Sequence, residues 1–343
     1  MEGIEGDRSA ADDAVDRVVD GLGTFGHRWK VVAVLLLAVM GLGAYAYVQQ
    51  LIHGDAVTGM RTIGAGGATW GLYVVFVAFF MGLAFAGITV ASVIRVFGLE
   101  PLRPISRAAE LMTITALMVG GLCVVADWGQ PLRGLLFMPM YARPVSPFFW
   151  TFSLVVGGYF FASAVYFFLS SRVDAAACAA RGGRFRRLFA LWATGYRGTD
   201  GERVRRRRVG FWLAAIILPL LIGASSVLGF VFGTQGARPG WFTALQGPGF
   251  VVMAGVSGVA TLIIIVAGLR RFLRLEEVIP TFAVRWLANL LLSLTSIYLY
   301  FMIAEEVTAS YAASAPQTRV AHETLFGAYA PLFWLVVASL GGC

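Results

Sequence analysis

Residues 72–94 read LYVVFVAFFMGLAFAGITVASVI, a run without a single charged side chain that ends against Arg95. About 20 apolar residues at 1.5 Å each cover the hydrocarbon thickness of a bilayer, so this segment is long enough to cross one as a helix. It shows no alternation of apolar and polar positions, which a barrel strand with one wet face requires. Inside lipid each peptide group must be paired within its own segment, and a helix does that.

Similar runs recur outward from it, at roughly 31–51, 69–96, 106–126, 147–171, 210–232, 247–271, 283–305 and 324–343. The chain is 58% hydrophobic and 13% charged, with mean hydropathy +0.77, more apolar surface than a soluble core of this length can bury. The expected fold class is an all-α integral membrane protein of about eight transmembrane helices. Cys123, Cys178 and Cys343 stand too far apart for a zinc ribbon or a cysteine-ligated iron–sulfur cluster. His27, His53 and His322 lie at segment edges, unlike the facing histidines that hold a haem in a bundle. The inventory therefore predicts no haem, iron–sulfur cluster or metal held by this chain.

The net charge of +8 follows topology rather than a nucleic-acid surface, so no nucleic acid is expected as a partner. Arg172, Arg181, Arg184, Arg186, Arg187, Arg197, Arg203 and Arg205 to Arg208 crowd the connection 172–209, which the positive-inside rule keeps in the cytoplasm. Alternation puts the N-terminal tail and the turns at Arg95 to Arg107 and Arg270 to Arg285 on that side, an N-in and C-in arrangement. The expected organisation is a tail, 1–30, with a short amphipathic helix from Ala11 to Leu22; a first four-helix bundle, 31–171; the Arg-rich loop, 172–209; and a second four-helix bundle, 210–343. No cleavable signal is expected ahead of the first apolar run, which follows an acidic stretch and has no small-residue cleavage site after it. The last run stops abruptly at Cys343, as a chain continuing past that point would. Gly82 with Ala86, Gly157 with Gly158, and Gly255 with Gly258 offer places for helix backbones to approach.

The outward edge carries the candidate chemistry. The first helix ends in Tyr47, Gln49, Gln50 and His53, and Trp70 and Tyr73 follow the next loop. Gln50 and His53, three apart, share a helix face and can address one ligand oxygen. A quinone head group asks for donors at its carbonyls, a titratable group and an apolar channel; solvated residues at a helix end are the plainer reading. Asp127 sits where the third helix leaves the membrane, as a loop acid or a proton acceptor. Gly129 and Pro131 then turn the chain toward Arg133 and Tyr141. Farther on, Arg285, Asn289, Ser293, Ser296 and Tyr300 follow one helical stripe, either interhelical glue or part of a proton route. Glu110 and Thr113, near the inner end of the helix that bears Asp127, could mark a second half of such a route.

Trp70-Gly71-Leu72-Tyr73, Met81 to Gly87, Phe97-Gly98-Leu99-Glu100 with Arg103-Pro104-Ile105, and Asp127 to Arg133 together resemble the NrfD/PsrC family of membrane subunits, over residues 45–170 above all. The resemblance implies two four-helix bundles and a cofactor-free quinone-binding anchor in a prokaryotic cell membrane, with a quinone such as menaquinone as bound substrate. It implies a partner iron–sulfur protein of the four-cluster ferredoxin type on the outward face, serving a molybdopterin or multihaem catalytic subunit. The family's Asn and His on the first helix fall on Gln50 and His53, its loop acid on Asp127 and its Tyr on Tyr141, with Trp70 or Tyr73 as walls and Arg133 nearby. A secondary transporter, which binds at midplane on broken helices, and a purely structural anchor are the rival readings. Topology can be checked directly: a cysteine placed between Arg197 and Gly201 is expected to react with an impermeant maleimide only from the cytoplasmic face, and labelling of intact cells from outside would reverse the assignment.

Overall fold

The computed structural model describes residues 26–59, 70–141, 147–181, 185–311 and 313–342; the amphipathic helix expected within 1–30 lies outside them, as does Cys343. Among the described residues every regular element is helical: α1 (His27–His53), α2 (Leu72–Val96), α3 (Arg103–Asp127), α4 (Pro131–Tyr141), α5 (Pro147–Arg181), α6 (Arg186–Trp192), α7 (Asp200–Gly233), α8 (Gln246–Phe272), α9 (Thr281–Tyr311), α10 (Ala315–Leu325) and α11 (Ala330–Gly341). Short 3-10 turns at Asp55–Thr58 and Glu100–Leu102 precede α2 and α3.

Six of these helices are long and apolar enough to cross a membrane, or seven if the kinked pair α10 and α11 makes one span, against the eight or so expected. The fourth expected segment lies in α5, where part of the side chains fall outside the described residues. The eighth is not one straight helix from 324: α10 begins earlier, and the chain bends by 69° before α11. Pro331 in the first turn of α11 has no N–H to carry a helix across that bend. The Arg-rich connection is also less of a loop than its charge suggests. α5 runs ten residues past the apolar segment, α6 lies within the connection, and α7 starts at Asp200. Arginine and alanine are good helix formers in water, so loss of hydropathy marks the membrane edge and not the helix end.

The chain's contacts gather into two compact units, one of residues 1–80, 118–143 and 169–203, the other of residues 81–117, 144–168 and 204–343. In the second unit, Val90, Ala91 and Ile94 of α2 and Ile105, Ala109 and Met112 of α3 share one core with Val259, Leu262 and Val266 of α8 and Ala283 and Leu287 of α9. The Arg-rich connection is thus a break in polarity, and packing passes across it. Small residues set the spacing. A Cβ on Gly82 would sit 3.3 Å from Ala254 Cα, one on Gly87 would sit 2.6 Å from the Ala109 carbonyl, and one on Gly258 would run into Ala86. Gly255 instead seats Leu294, whereas Gly157 and Gly158 meet nothing within 4 Å. Tyr159 of α5 is buried, donates to the Ala84 carbonyl at 2.9 Å and meets Phe85 edge-on at 4.9 Å between ring centres.

In the first unit, the apolar window of α1 has none of its residues buried, and the helix is tied to its surroundings by its C-terminal end. Gly258→Val, which forces two added methyls against Ala86, is expected to cost about 1–3 kcal/mol. A lowered thermal midpoint in detergent would report it, with Gly157→Val as the neutral comparison.

Candidate functional site

α1 ends at His53 because Gly54 takes φ 82°, ψ 172°, a conformation that glycine adopts without a Cβ clash, and its N–H closes on the Gln50 carbonyl at 2.8 Å. The chain doubles back into the turn Asp55–Thr58, where the Thr58 hydroxyl donates to the Asp55 carbonyl at 2.6 Å. This places the Asp55 carboxylate on the Gln50 side chain. Gln50 is buried, 6% exposed; its Nε2 donates to Asp55 Oδ1 at 2.8 Å, and its Oε1 accepts from the Tyr73 hydroxyl at 2.9 Å. The amide thereby bridges the end of α1 to the start of α2.

One turn back on α1, the Tyr47 hydroxyl is buried with no hydrogen-bond partner among the described residues. It interacts electrostatically with Tyr73 and Asp55, so the three lie together. Cys123 and Asp127, toward the end of α3, lie near enough to Tyr73 to act on it through space, as does Asp55. Gly129, at φ 69°, is held against Asp55: a Cβ there would lie 2.7 Å from Asp55 Oδ2. The turn expected from Gly129 and Pro131 forms, with Gln130 N–H on the Trp128 carbonyl at 2.7 Å and Gly134 seated on the Trp128 ring.

The expected residues do not all converge. Gln50 and Tyr73 meet in this cluster, and Asp127 lies near enough to Tyr73 to act on it through space. His53 is exposed, and its Nδ1 lies 3.0 Å from the Gln49 carbonyl. A carbonyl only accepts, so Nδ1 carries the proton and Nε2 is the ring atom left for a ligand. Trp70 is half-buried just before α2, and Arg133 is exposed on α4. Tyr141 closes α4, but its side chain lies outside the described residues, as does Arg61. Tyr47 and Asp55 carry no assigned role on sequence grounds. Their spacing from Gln50, three before and five after, was the available signal, readable only once Gly54 is known to reverse the chain.

The other polar groups fall elsewhere. Asn289, Ser293, Ser296 and Tyr300 form an exposed stripe on α9, with the Ser293 and Ser296 hydroxyls donating to the carbonyls of Asn289 and Leu292, four residues back, at 3.0 and 2.9 Å. Thr113 is buried and donates to the Ala109 and Ala84 carbonyls at 2.9 and 3.2 Å. Glu110, 1% exposed, is the centre of an ionic group: Arg107 Nη1 at 2.9 Å, Arg95 Nη2 at 4.0 Å and the Ser106 hydroxyl at 3.2 Å. The Arg95 guanidinium lies 4.5 Å above the Tyr166 ring. The Tyr166 and Ser92 hydroxyls are buried without hydrogen-bond partners among the described residues.

Comparison with known proteins gives the cluster its context. A family described as "Polysulphide reductase, NrfD" matches residues 62–343. A Halobacterium salinarum protein, provisionally named as a membrane subunit of dimethyl sulfoxide reductase, is 35% identical over 260 residues, 75% of this chain and 55% of its own length. A selenate reductase subunit of Mesobacillus selenatarsenatis is 25% identical over 276 residues, 78% of this chain and 63% of its own. The chain thus spans somewhat over half the length of these curated relatives.

The contact between Gly129 and Asp55 yields a measurable coupling. Gly129→Ala puts a side chain into left-handed backbone, about 1–2 kcal/mol, and pushes the carboxylate away as well. In an Asp55→Ala background the second part is expected to vanish, so a double-mutant cycle on thermal midpoints should show the two losses to be less than additive.

Proposed function

This protein belongs to the NrfD polysulphide reductase family, and from that premise we propose that it is the quinone-reactive membrane subunit of a respiratory oxidoreductase. The buried Tyr47 hydroxyl beside Gln50, Asp55 and Tyr73, without a hydrogen-bond partner among the described residues, carries the reading. An orphaned donor at a membrane edge costs about 1–3 kcal/mol unless something accepts from it, and a quinone carbonyl is an acceptor that reaches such a depth from the lipid. The names of the two relatives, one a membrane subunit of dimethyl sulfoxide reductase and the other a subunit of selenate reductase, support a place in a multisubunit reductase.

A quinol gives up two electrons and two protons per turnover, and a quinone takes up the same number in the reverse direction. On this chain Tyr47 would donate to one carbonyl, Gln50 would hold Tyr73 and Asp55 in register, and Asp127 would take or return a proton through Tyr73 and Cys123 at the end of α3. His53 Nε2 is a second proton exchanger at the rim, with Trp70 and Arg133 bordering the entrance and Tyr141, by the family resemblance, as the donor to the second carbonyl. Electrons pass to an iron–sulfur subunit docked on this outward face, and from there to or from a molybdopterin or multihaem catalytic subunit. The setting is the cell membrane of a prokaryote with the N-terminus in the cytoplasm. Toward the other end of α3, Glu110, with the buried hydroxyls of Tyr166 and Ser92 asking for water between them, is the start of a proton route.

The complete complex in native membranes tests this. Tyr47→Phe is expected to lower quinol-dependent turnover about ten-fold, by the loss of one hydrogen bond of about 1.5 kcal/mol. Asp127→Asn should lower it about 100-fold, the size of a general acid–base contribution. Assembly and activity with an artificial donor to the partner subunits should be unchanged in both, and quinol turnover at wild-type rate in the two variants would refute the assignment.

A further inference from the structure

The Arg-rich connection contains a structure that topology does not require. Positive-inside sorting asks only for charge, yet residues 185–192 read Phe-Arg-Arg-Leu-Phe-Ala-Leu-Trp and fold, from Arg186, into α6. At seven residues this helix is about 10 Å long, far too short to cross a bilayer. Its apolar side chains are nonetheless outside: Leu188 is 60% and Leu191 72% exposed. Arg186 and Arg187 are exposed beside them, and no carboxylate among the described residues pairs with either.

Two hydrogen bonds fix the level at which this helix lies. The Trp192 Nε1–H donates to the Ser171 hydroxyl at 2.9 Å, and Arg172 Nη2 donates to the Thr194 carbonyl at 2.6 Å. Ser171 and Arg172 are the residues of α5 where its apolar run 147–171 gives way to charge. α6 is therefore pinned beside the point where the long apolar run of α5 gives way to charge, and tryptophan is the side chain favoured at such a boundary. A short helix with exposed leucines, and with arginines long enough to carry their charge past them to the headgroups, meets the requirements for lying in the interface when held at that level.

We propose that α6 is an interfacial lipid-binding helix, with Leu188 and Leu191 in the acyl boundary and Arg186 and Arg187 on the phosphates of anionic phospholipids in the adjacent leaflet. Phosphate matches the fixed fork of the guanidinium, and a leaflet rich in anionic lipid attracts a basic juxtamembrane segment. The lipid so held would sit against the end of α5, and it would anchor the connection on the membrane without any contact to a partner protein. This reading is independent of the quinone assignment, because it uses neither the cluster at Gln50 nor any redox step.

Two measurements on the full chain decide it. With Cys123, Cys178 and Cys343 replaced by serine, a nitroxide on Leu188→Cys is examined in vesicles of phosphatidylethanolamine with phosphatidylglycerol. Collisions with dissolved oxygen are expected to exceed those with a water-soluble nickel chelate. A label reached by the chelate as freely as a soluble control would overturn the proposal, and so would one shielded only when partner subunits are present, which would assign the face to a protein. In the second measurement, phosphatidylglycerol retained through purification is counted by native mass spectrometry. The pair Arg186→Glu and Arg187→Glu is expected to lose at least half of it, Arg186→Lys and Arg187→Lys to keep most, and inorganic phosphate to displace none. Equal retention in the glutamate pair and the wild type, with the protein folded, would overturn the proposal as well.

Discussion

A peptide group left without a hydrogen-bond partner in hydrocarbon costs several kcal/mol, and the shape of this molecule follows from avoiding that cost. Long helices keep nearly all the backbone bonds internal; α7 continues through Pro219, which lacks the N–H that would otherwise bond the Ala215 carbonyl. Once the backbone is satisfied this way, apolar side chains gain nothing by leaving lipid for each other. Association then depends on fit, and the close approaches at Gly82, Gly87 and Gly258 are where α2 meets α3 and α8 with backbone-level contact.

The same constraint moves chemistry to the ends of helices. A chain can turn only where its freed N–H and carbonyl groups find partners, and it does so at Gly54 and Gly129, both at positive φ. Between those two turns stand Gln50, Asp55, Tyr73 and Asp127. The cluster is thus a by-product of how α1 and α3 stop, with the Asp55 carboxylate seated where Gly129 has no side chain. Such a site is rigid because its members satisfy one another, and the Tyr47 hydroxyl is the member that does not.

Charge inside the second unit obeys a related rule. Glu110 is nearly inaccessible, and an isolated charge at such a depth is costly. Arg107, Arg95 and Ser106 surround it, with Arg95 resting on the Tyr166 ring. Removing one partner of such a group leaves a buried charge uncompensated, which is dearer than the pairing was worth. Glu110 is therefore part of an ionic group drawn from two helices, and any proton it exchanges is exchanged against two guanidiniums.

Hydropathy alone determined the class of protein and the approximate place of most spans, because transfer of apolar side chains into lipid is a local, additive property of the chain. The polar residues at the outward edge singled out Gln50, Tyr73 and Asp127. Sequence could not pair Gln50 with Asp55, since that contact exists only after Gly54 reverses the backbone. Nor could it separate His53 from Gln50. The face of α1 that meets the cluster is the one bearing Tyr47 and Gln50, and His53, six residues on from Tyr47, is turned by about 240° around the helix. Likewise the stripe from Asn289 to Tyr300 was legible as a stripe, but which neighbour covers it depends on how α9 rotates about its own axis. Periodicity says which residues lie on one line of a helix; only packing against other helices decides which way that line faces.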